Sequence, residues 1–389
     1  MIRFALILLM SLAVTSQAVA AVKWNNPVSK EEKAIRESKV ASHWTKDLDK
    51  VFNYHSQYIQ GINDSQKQKI MEIGDPLECM KRVRKIEQLE NHAVISSDDY
   101  LKDPALLHLA LRENKITILE EGIYKLQATL PLSDGNFLIG KGKVVLDASN
   151  VSAAINIDKG FVANLTIYGA QKYGINIDGN HSTVFNVIIM NTGINSPLNS
   201  SGNGINARGV TSHSNCLVSV EAFNGYNEVG ASNVTQKGGN ADGIAIKRGA
   251  HNFTLIDVHA HHNSDDGYDF WKAGNGAPIS EDEITIRLFY SSANHNGKNP
   301  LTQNGDGNGF KFGSADKYQK PQKDKGARAI YGSVACNNLM RGFDRNGTRM
   351  TIIAENNQAR SNPKSNYKEV FSKSSKDAFS LKCKQFPKY

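Results

Sequence analysis

Asn240-Ala241-Asp242-Gly243, Asn263-Ser264-Asp265-Asp266-Gly267-Tyr268-Asp269 and Asn308-Gly309-Phe310-Lys311 carry one short pattern three times. With their glycines aligned, Asp242, Asp266 and Asn308 each stand one residue before the glycine, and Asp269 and Lys311 each stand two after it. The core of the pattern is a glycine, a large apolar residue and a variable one. It recurs at Gly174-Ile175-Asn176, Gly204-Ile205-Asn206, Gly243-Ile244-Ala245, Gly267-Tyr268-Asp269, Gly309-Phe310-Lys311 and Gly342-Phe343-Asp344, at intervals of 30, 39, 24, 42 and 33 residues. A constant core with insertions of variable length marks a solenoid, whose neighbouring turns must stack while loops on one face vary.

Each unit carries a second β-rich run: Val184 to Met190, Leu217 to Ala222, Phe253 to Ala260, Ile284 to Tyr290, Ala329 to Ala335 and Met350 to Ala354. These runs favour Val, Ile, Phe and Thr, alternate in part with period two, and end at Asn or Gly. Short strands with no helix-length apolar stripe between them predict an all-β parallel β-helix, and the leucine consensus of a horseshoe is absent. Stacked rungs lie ~4.8 Å apart, so residues one unit apart in a column are in contact range.

Other parts of the chain differ in composition. Residues 1–20 read as a secretory signal: Arg3, the apolar stretch Phe4 to Val14, and Ala18-Val19-Ala20 as the cleavage site. The stretch is too short to span a bilayer, and no later segment reaches ~20 apolar residues, so the expected product is a soluble monomer, secreted or periplasmic. Residues 21–95 read as a mainly helical cap or accessory segment, opening on the capping-box pattern Ser29-Lys30-Glu31-Glu32. Trp44, Leu48, Val51 and Phe52 follow at helical spacing. Such an aromatic stripe serves either as core or as a sugar-stacking platform. The β-helix is expected over 96–365 and an irregular tail over 366–389, with a lysine-rich insertion from Lys317 to Lys325. Cys79, Cys216, Cys336 and Cys383 permit three disulfide pairings and lack zinc-site spacing.

The net charge is 46 − 38 = +8, which suits an anionic partner. No nucleic-acid motif or basic-aromatic platform is present, so an acidic polysaccharide fits an exported protein better; scattered solvated lysines explain the total equally well. Asp242, Asp265, Asp266 and Asp269 fall in two consecutive units. Hard cations such as calcium take six to eight oxygens, commonly from carboxylates, and clustered carboxylates without a cation repel one another and take up protons. Alternatively, the aspartates make the turn hydrogen bonds usual at solenoid corners. Lys311, flanked in its column by Asp269 and Asp344, is either a general base or one partner of a rung-to-rung salt bridge. A lysine near its reference pKa of ~10.4 serves as a base only if that pKa is depressed or the pH is high. A base beside a cation suits abstraction of the C5 proton of a uronic acid followed by β-elimination.

The runs around Asp242, Asp265 to Asp269, Asn304-Gly305-Asp306-Gly307-Asn308-Gly309-Phe310-Lys311 and Arg341-Gly342-Phe343-Asp344 together resemble the family 9 polysaccharide lyases, the pectate lyase group. The match is strong over about residues 240 to 360 and loose before it. The resemblance implies a right-handed parallel β-helix that cleaves polygalacturonate or a related polyuronate with calcium. It implies Asp242, Asp265, Asp266 and Asp269 as calcium ligands and Lys311 as base. Tyr268 stands where the family often has Trp. Arg341 and Arg345, one rung beyond Lys311, are candidate partners for substrate carboxylates. The rivals are a polyuronate hydrolase, a C5 epimerase, and a noncatalytic calcium-stabilised carbohydrate-binding β-helix or adhesin. The Ser-His-Gly and Arg-Ile-Lys motifs of polygalacturonase-like hydrolases are absent.

Overall fold

The computed structural model describes Cys79, Arg82 and residues 92–133, 135–193, 201–227, 239–297, 305–313, 325–347, 350–355 and 357–368. The signal at 1–20, nearly all of the helical segment, the bulk of the lysine-rich insertion and most of the tail lie outside these residues.

The described chain winds as a parallel β-helix. One run of strands stacks as Leu130–Leu132, Ala153–Ile157, Tyr173–Ile177, Asn203–Arg208, Ile244–Lys247, Tyr268–Asp269, Phe310–Lys311, Arg341–Asp344 and Ser365–Lys368. The register pairs Ile205 with Ile244, Ile244 with Tyr268, Tyr268 with Phe310 and Phe310 with Phe343. The glycine alignment read from the sequence is therefore the physical stack. Its cause is close approach: a Cβ on Gly174, Gly204, Gly243, Gly267 or Gly309 would lie 2.5–2.8 Å from the carbonyl oxygen of the next glycine in the column.

The β-rich runs form a longer parallel stack, among them Thr183–Met190, Cys216–Phe223, Phe253–Ile256 and Ile284–Phe289. Several contain a bend that period-two alternation does not reveal. Asn164, Asn186, Ser219, Asp257 and Tyr290 all adopt positive φ at this corner, turning the strand from one wall of the coil to the next. Asn tolerates this left-handed conformation better than most residues.

The interior is a continuous apolar core from Ile95 to Phe343. Stacked rings run through it, with Tyr268–Phe310 at 4.4 Å and Phe310–Phe343 at 4.9 Å between centroids. One corner carries an asparagine ladder: Asn263, Asn296, Asn338 and Asn362 each donate Nδ2 to the Oδ1 of the next asparagine, the last reaching Asn366, at 2.9–3.0 Å. Each also donates to a backbone carbonyl, that of Ala222, Ala260, Ala293 or Ala335. Both amide protons are satisfied inside the protein, as burial requires.

The N-terminal boundary differs from the expected one. Strand His92–Ile95 pairs with Ile116–Leu119, so the first strand among the described residues lies inside the range read as helical. Two helices, α1 (Ser97–Lys102) and α2 (Ala105–Glu113), follow it. Helix α1 starts on Ser96, whose Oγ accepts from the Asp99 amide and donates to the Asp99 carboxylate. Helix α2 buries Leu107, Ala110 and Leu111 against the first coils. A four-residue strand followed at once by helix is too short to show its period. Cys79 is bridged to Cys216 across 137 residues, and Arg82 donates to the Ser214 carbonyl. These contacts tie the upstream segment to the flank of the coil, where Cys79 packs with Phe161, Phe185 and Val218. Cys336 is also disulfide-bonded.

Asn338→Ala is expected to leave the Asn296 amide and the Ala293 carbonyl without their side-chain partner, at about 1–3 kcal/mol per buried group. It should lower the thermal midpoint by several degrees, whereas Asn176→Ala, whose Nδ2 donates only exposed bonds and whose Oδ1 accepts one part-buried bond, should shift it less. Equal midpoints would show that the ladder is not a source of stability.

Candidate active site

Three coils place the acidic side chains. In the column one residue before the glycines, side chains bridge successive coils: Asn203 Oδ1 accepts from the Asp242 amide, Asp242 Oδ1 from the Asp266 amide, and Asp266 Oδ1 from the Asn308 amide, at 3.0, 3.3 and 2.7 Å. The turn-bonding role expected of corner aspartates is thus present, and it uses one oxygen of each. The other oxygens of Asp242 and Asp266 are held by lysines. Asp265 accepts from the backbone amides of Asn240 and Asp306, at 2.7 and 2.9 Å. Gly305 lets the loop come that close, since a Cβ there would stand 2.2 Å from Asp265 Oδ1.

Lys311 lies beside Asp269 in the register, yet its amine reaches elsewhere. Nζ contacts Asp266 at 2.9 Å and Asp306 at 3.0 Å, and 14% of the side chain is exposed. Asp306 stood in the quoted motif without an assigned role. The structure adds a second lysine: Lys247 contacts Asp242 at 2.7 Å and Asp269 at 2.6 Å and is almost fully buried. Its signal lay in the alternation of Ile244-Ala245-Ile246-Lys247. Ile244 and Ile246 enter the core, which puts Lys247 on the outer face with Ala245 and, one and two coils on, Asp269 and Lys311. Removing one member of such a buried charge pair typically costs roughly 3–5 kcal/mol.

Five carboxyl groups (Asp242, Asp265, Asp266, Asp269 and Asp306) thus face two ammonium groups, a formal excess of three negative charges (5 − 2) when all five are ionised. Burial, reinforced by Asp266, Asp306 and Asp242, pushes the Asp265 carboxyl well above the ordinary carboxylate range. Burial and then Asp306 do the same to Asp266, in spite of Lys311. Burial also raises Asp242. Burial alone would raise Asp306, but Lys311 and a hydrogen bond with Asp265 outweigh it and hold the group low. For Lys311, burial favours the neutral amine, yet Asp266 and Asp306 overcome it and raise the pKa well above the usual lysine value. Asp242 and Asp269 raise Lys247 in the same way against its burial.

Asp242, Asp265 and Asp266 each bring a carboxylate oxygen within 4.8 Å of the other two. Asn308 Oδ1, beside them, is buried without a hydrogen-bond partner. An all-oxygen set with surplus negative charge fits a hard cation such as calcium. Asp269 is not among the three; its carboxylate takes the Lys247 amine and accepts from the Trp271 amide. Arg341 and Arg345, the candidate partners for substrate carboxylates, each have a local partner. Arg341 pairs with Asp344 at 3.0 Å, three residues on in its own strand, and Arg345 donates to the Met350 carbonyl at 2.6 Å. Among the described residues, no helix is long and apolar enough to cross a membrane.

Residues 114–377 match the family described as the Pel9A-like, right handed beta helix region. The chain is also similar to pectate lyase L of Paenibacillus polymyxa (strain SC2), with 29% identity over 277 residues, 65% of this chain and 57% of that protein. It therefore spans little more than half the length of that curated relative. Among solved structures it is similar to pectate lyase Pel9A, at 19% identity and a TM-score of 0.48, over 65% of this chain and 70% of that one. It is similar as well to a rhamnogalacturonan lyase, at 20% identity and a TM-score of 0.41, over 63% of this chain and 66% of that one. The family match takes in more than half of the chain and every residue of the carboxylate–lysine cluster, and the chain belongs to this pectate lyase-like family of right-handed β-helices.

Proposed function

We propose that the protein is a polysaccharide lyase that cleaves polygalacturonate or a related polyuronate by β-elimination. The observation that carries this reading is one amine, Lys311 Nζ, set 2.9 Å from a buried carboxylate of the Asp242–Asp265–Asp266 nest and still partly open to solvent. The pectate lyase relative supports the same substrate class.

Asp242, Asp265 and Asp266, with the Asn308 amide oxygen beside them, would hold a calcium ion. Calcium, when bound, supplies positive charge that offsets the carboxylates and stabilises charge developing on a substrate carboxylate. Asp269 contributes to the same basin of negative charge, with Lys247 as its immediate partner. Lys311 takes the C5 proton through its neutral amine. The C–H electrons form the C4–C5 double bond, the C4–O bond breaks, and the departing oxygen takes up a proton from solvent, which receives one back from the Lys311 ammonium. No water is consumed. As it stands, Lys311 is held in the protonated form by Asp266 and Asp306, so its work as a base calls for alkaline pH or for loss of negative charge from those partners.

Digests of polygalacturonate should gain the ultraviolet absorbance of the conjugated product, and chelation should abolish it. Lys311→Ala should lose about 10²–10⁴-fold in turnover, the range of a positioned general base, while remaining folded by circular dichroism. Undiminished activity in that variant would remove the assigned base, and epimerised sugars without new absorbance would replace elimination by epimerisation.

Activity should rise with pH on its acidic limb, because the base is the neutral amine. Asp306→Asn deletes one of the two carboxylates in contact with the Lys311 amine, both of which raise it, so the amine loses its proton at lower pH and the limb moves toward acid. A limb that stays put or moves to higher pH would show that another group controls it.

A further inference from the structure

Lys247 also lines a polar cleft of about 300 Å³ between its own coil and the preceding one. Asn203, Asn206, Asn227, Arg208 and Arg248 line it as well. The elimination chemistry uses none of these five. Arg208 pairs in register with Lys247, and Asn206, Ala245, Asp269 and Lys311 succeed one another down the stack. Arg208 thus stands three rungs from the base, roughly 14 Å at the spacing of paired strands.

The asparagines are fixed. Asn203 Oδ1 accepts from the Asp242 amide at 3.0 Å, Asn206 Nδ2 donates to Asn176 at 2.7 Å, and Asn227 Nδ2 donates to the Gly239 carbonyl at 2.7 Å. The arginines are not neutralised: among the described residues, neither Arg208 nor Arg248 has an acidic partner. Arg248 is steadied instead by the Trp271 ring, 4.9 Å from its guanidinium to the ring centroid. Partial burial and then the charge of Arg208 make the Arg248 proton easier to lose than usual, so the two cations feel each other. Two exposed guanidinium forks at one cleft, with the Lys247 ammonium already taken by Asp242 and Asp269, form a site for a planar anion, and the fork geometry matches a carboxylate.

We infer that this cleft is a remote subsite, in which Arg208 and Arg248 bind the carboxylate of a uronic acid unit lying a few sugars away from the bond that is cleaved. The inference rests on the polyuronate reading of the neighbouring cluster. It adds that the polymer runs across the rungs toward the N-terminal coils, and that the acid groups, not the sugar hydroxyls, are read there.

The test is calorimetric binding to the full chain carrying Lys311→Ala, with calcium present. The probes are an oligogalacturonate, its carboxyl-reduced counterpart, and free acetate. The oligogalacturonate should bind. Adding Arg208→Ala and Arg248→Ala should weaken it by about tenfold or more, the scale of lost charge-assisted hydrogen bonds. The reduced sugar and acetate should bind weakly to both proteins. Unchanged oligogalacturonate affinity in a double variant with the parent's thermal midpoint would overturn the inference, as would equal binding of the reduced sugar. With Lys311 intact, the arginine pair should raise KM while kcat is retained. The two readings fail separately. Product formed with an unaltered KM sinks the subsite and leaves the lyase. Arginine-dependent binding without product from any polyuronate sinks the lyase and leaves the subsite.

Discussion

Consecutive coils touch through bare backbone at the column Gly174, Gly204, Gly243, Gly267, Gly309 and Gly342, where even a methyl group would strike the carbonyl of the next coil. That approach sets the register of the strands that follow and therefore where every outward side chain lands. With the register held, Asp242 and Asp266 fall one above the other and bridge to the next coil's amides. The asparagine ladder holds a neighbouring corner by the same geometry. Stacked aromatic rings fill the space behind them.

The consequence for chemistry is crowding. A rung spacing of ~4.8 Å forces carboxylates from adjacent coils closer together than they would stand in water. The protein relieves part of that repulsion with Lys247 and Lys311 and part with backbone amides, and a surplus of negative charge remains. The two lysines divide the work by position. Lys247 is sealed between Asp242 and Asp269, while Lys311 sits nearer the opening, between Asp266 and Asp306. The proposed elimination uses the more accessible amine. The same surplus that would hold a cation keeps that amine protonated until something offsets it.

Much of this was legible because the solenoid maps sequence onto space almost linearly. Asp265, Asp266, Asp242 and Lys311 converge since they occupy aligned offsets from stacked glycines. Asp306 was harder to place, because it lies in a loop whose path depends on Gly305 passing close to Asp265. Lys247 announced itself only through the in-and-out alternation of a four-residue strand. Arg341 and Arg345 find partners within a few residues, Asp344 and the Met350 carbonyl, which their place in the column does not reveal.

The amino-acid sequence by itself determined the repeat, its phase and the acidic character of one edge, because those follow from where glycine is required and where strands alternate. Tertiary structure alone decided which amine meets which carboxylate. Side chains of similar reach on neighbouring rungs have several partners within range, and the choice depends on coil curvature, on loop approach and on which oxygens the backbone amides have already taken. It likewise decided that Arg208 and Arg248 share one cleft, since residues forty positions apart become neighbours only when their strands pair in register.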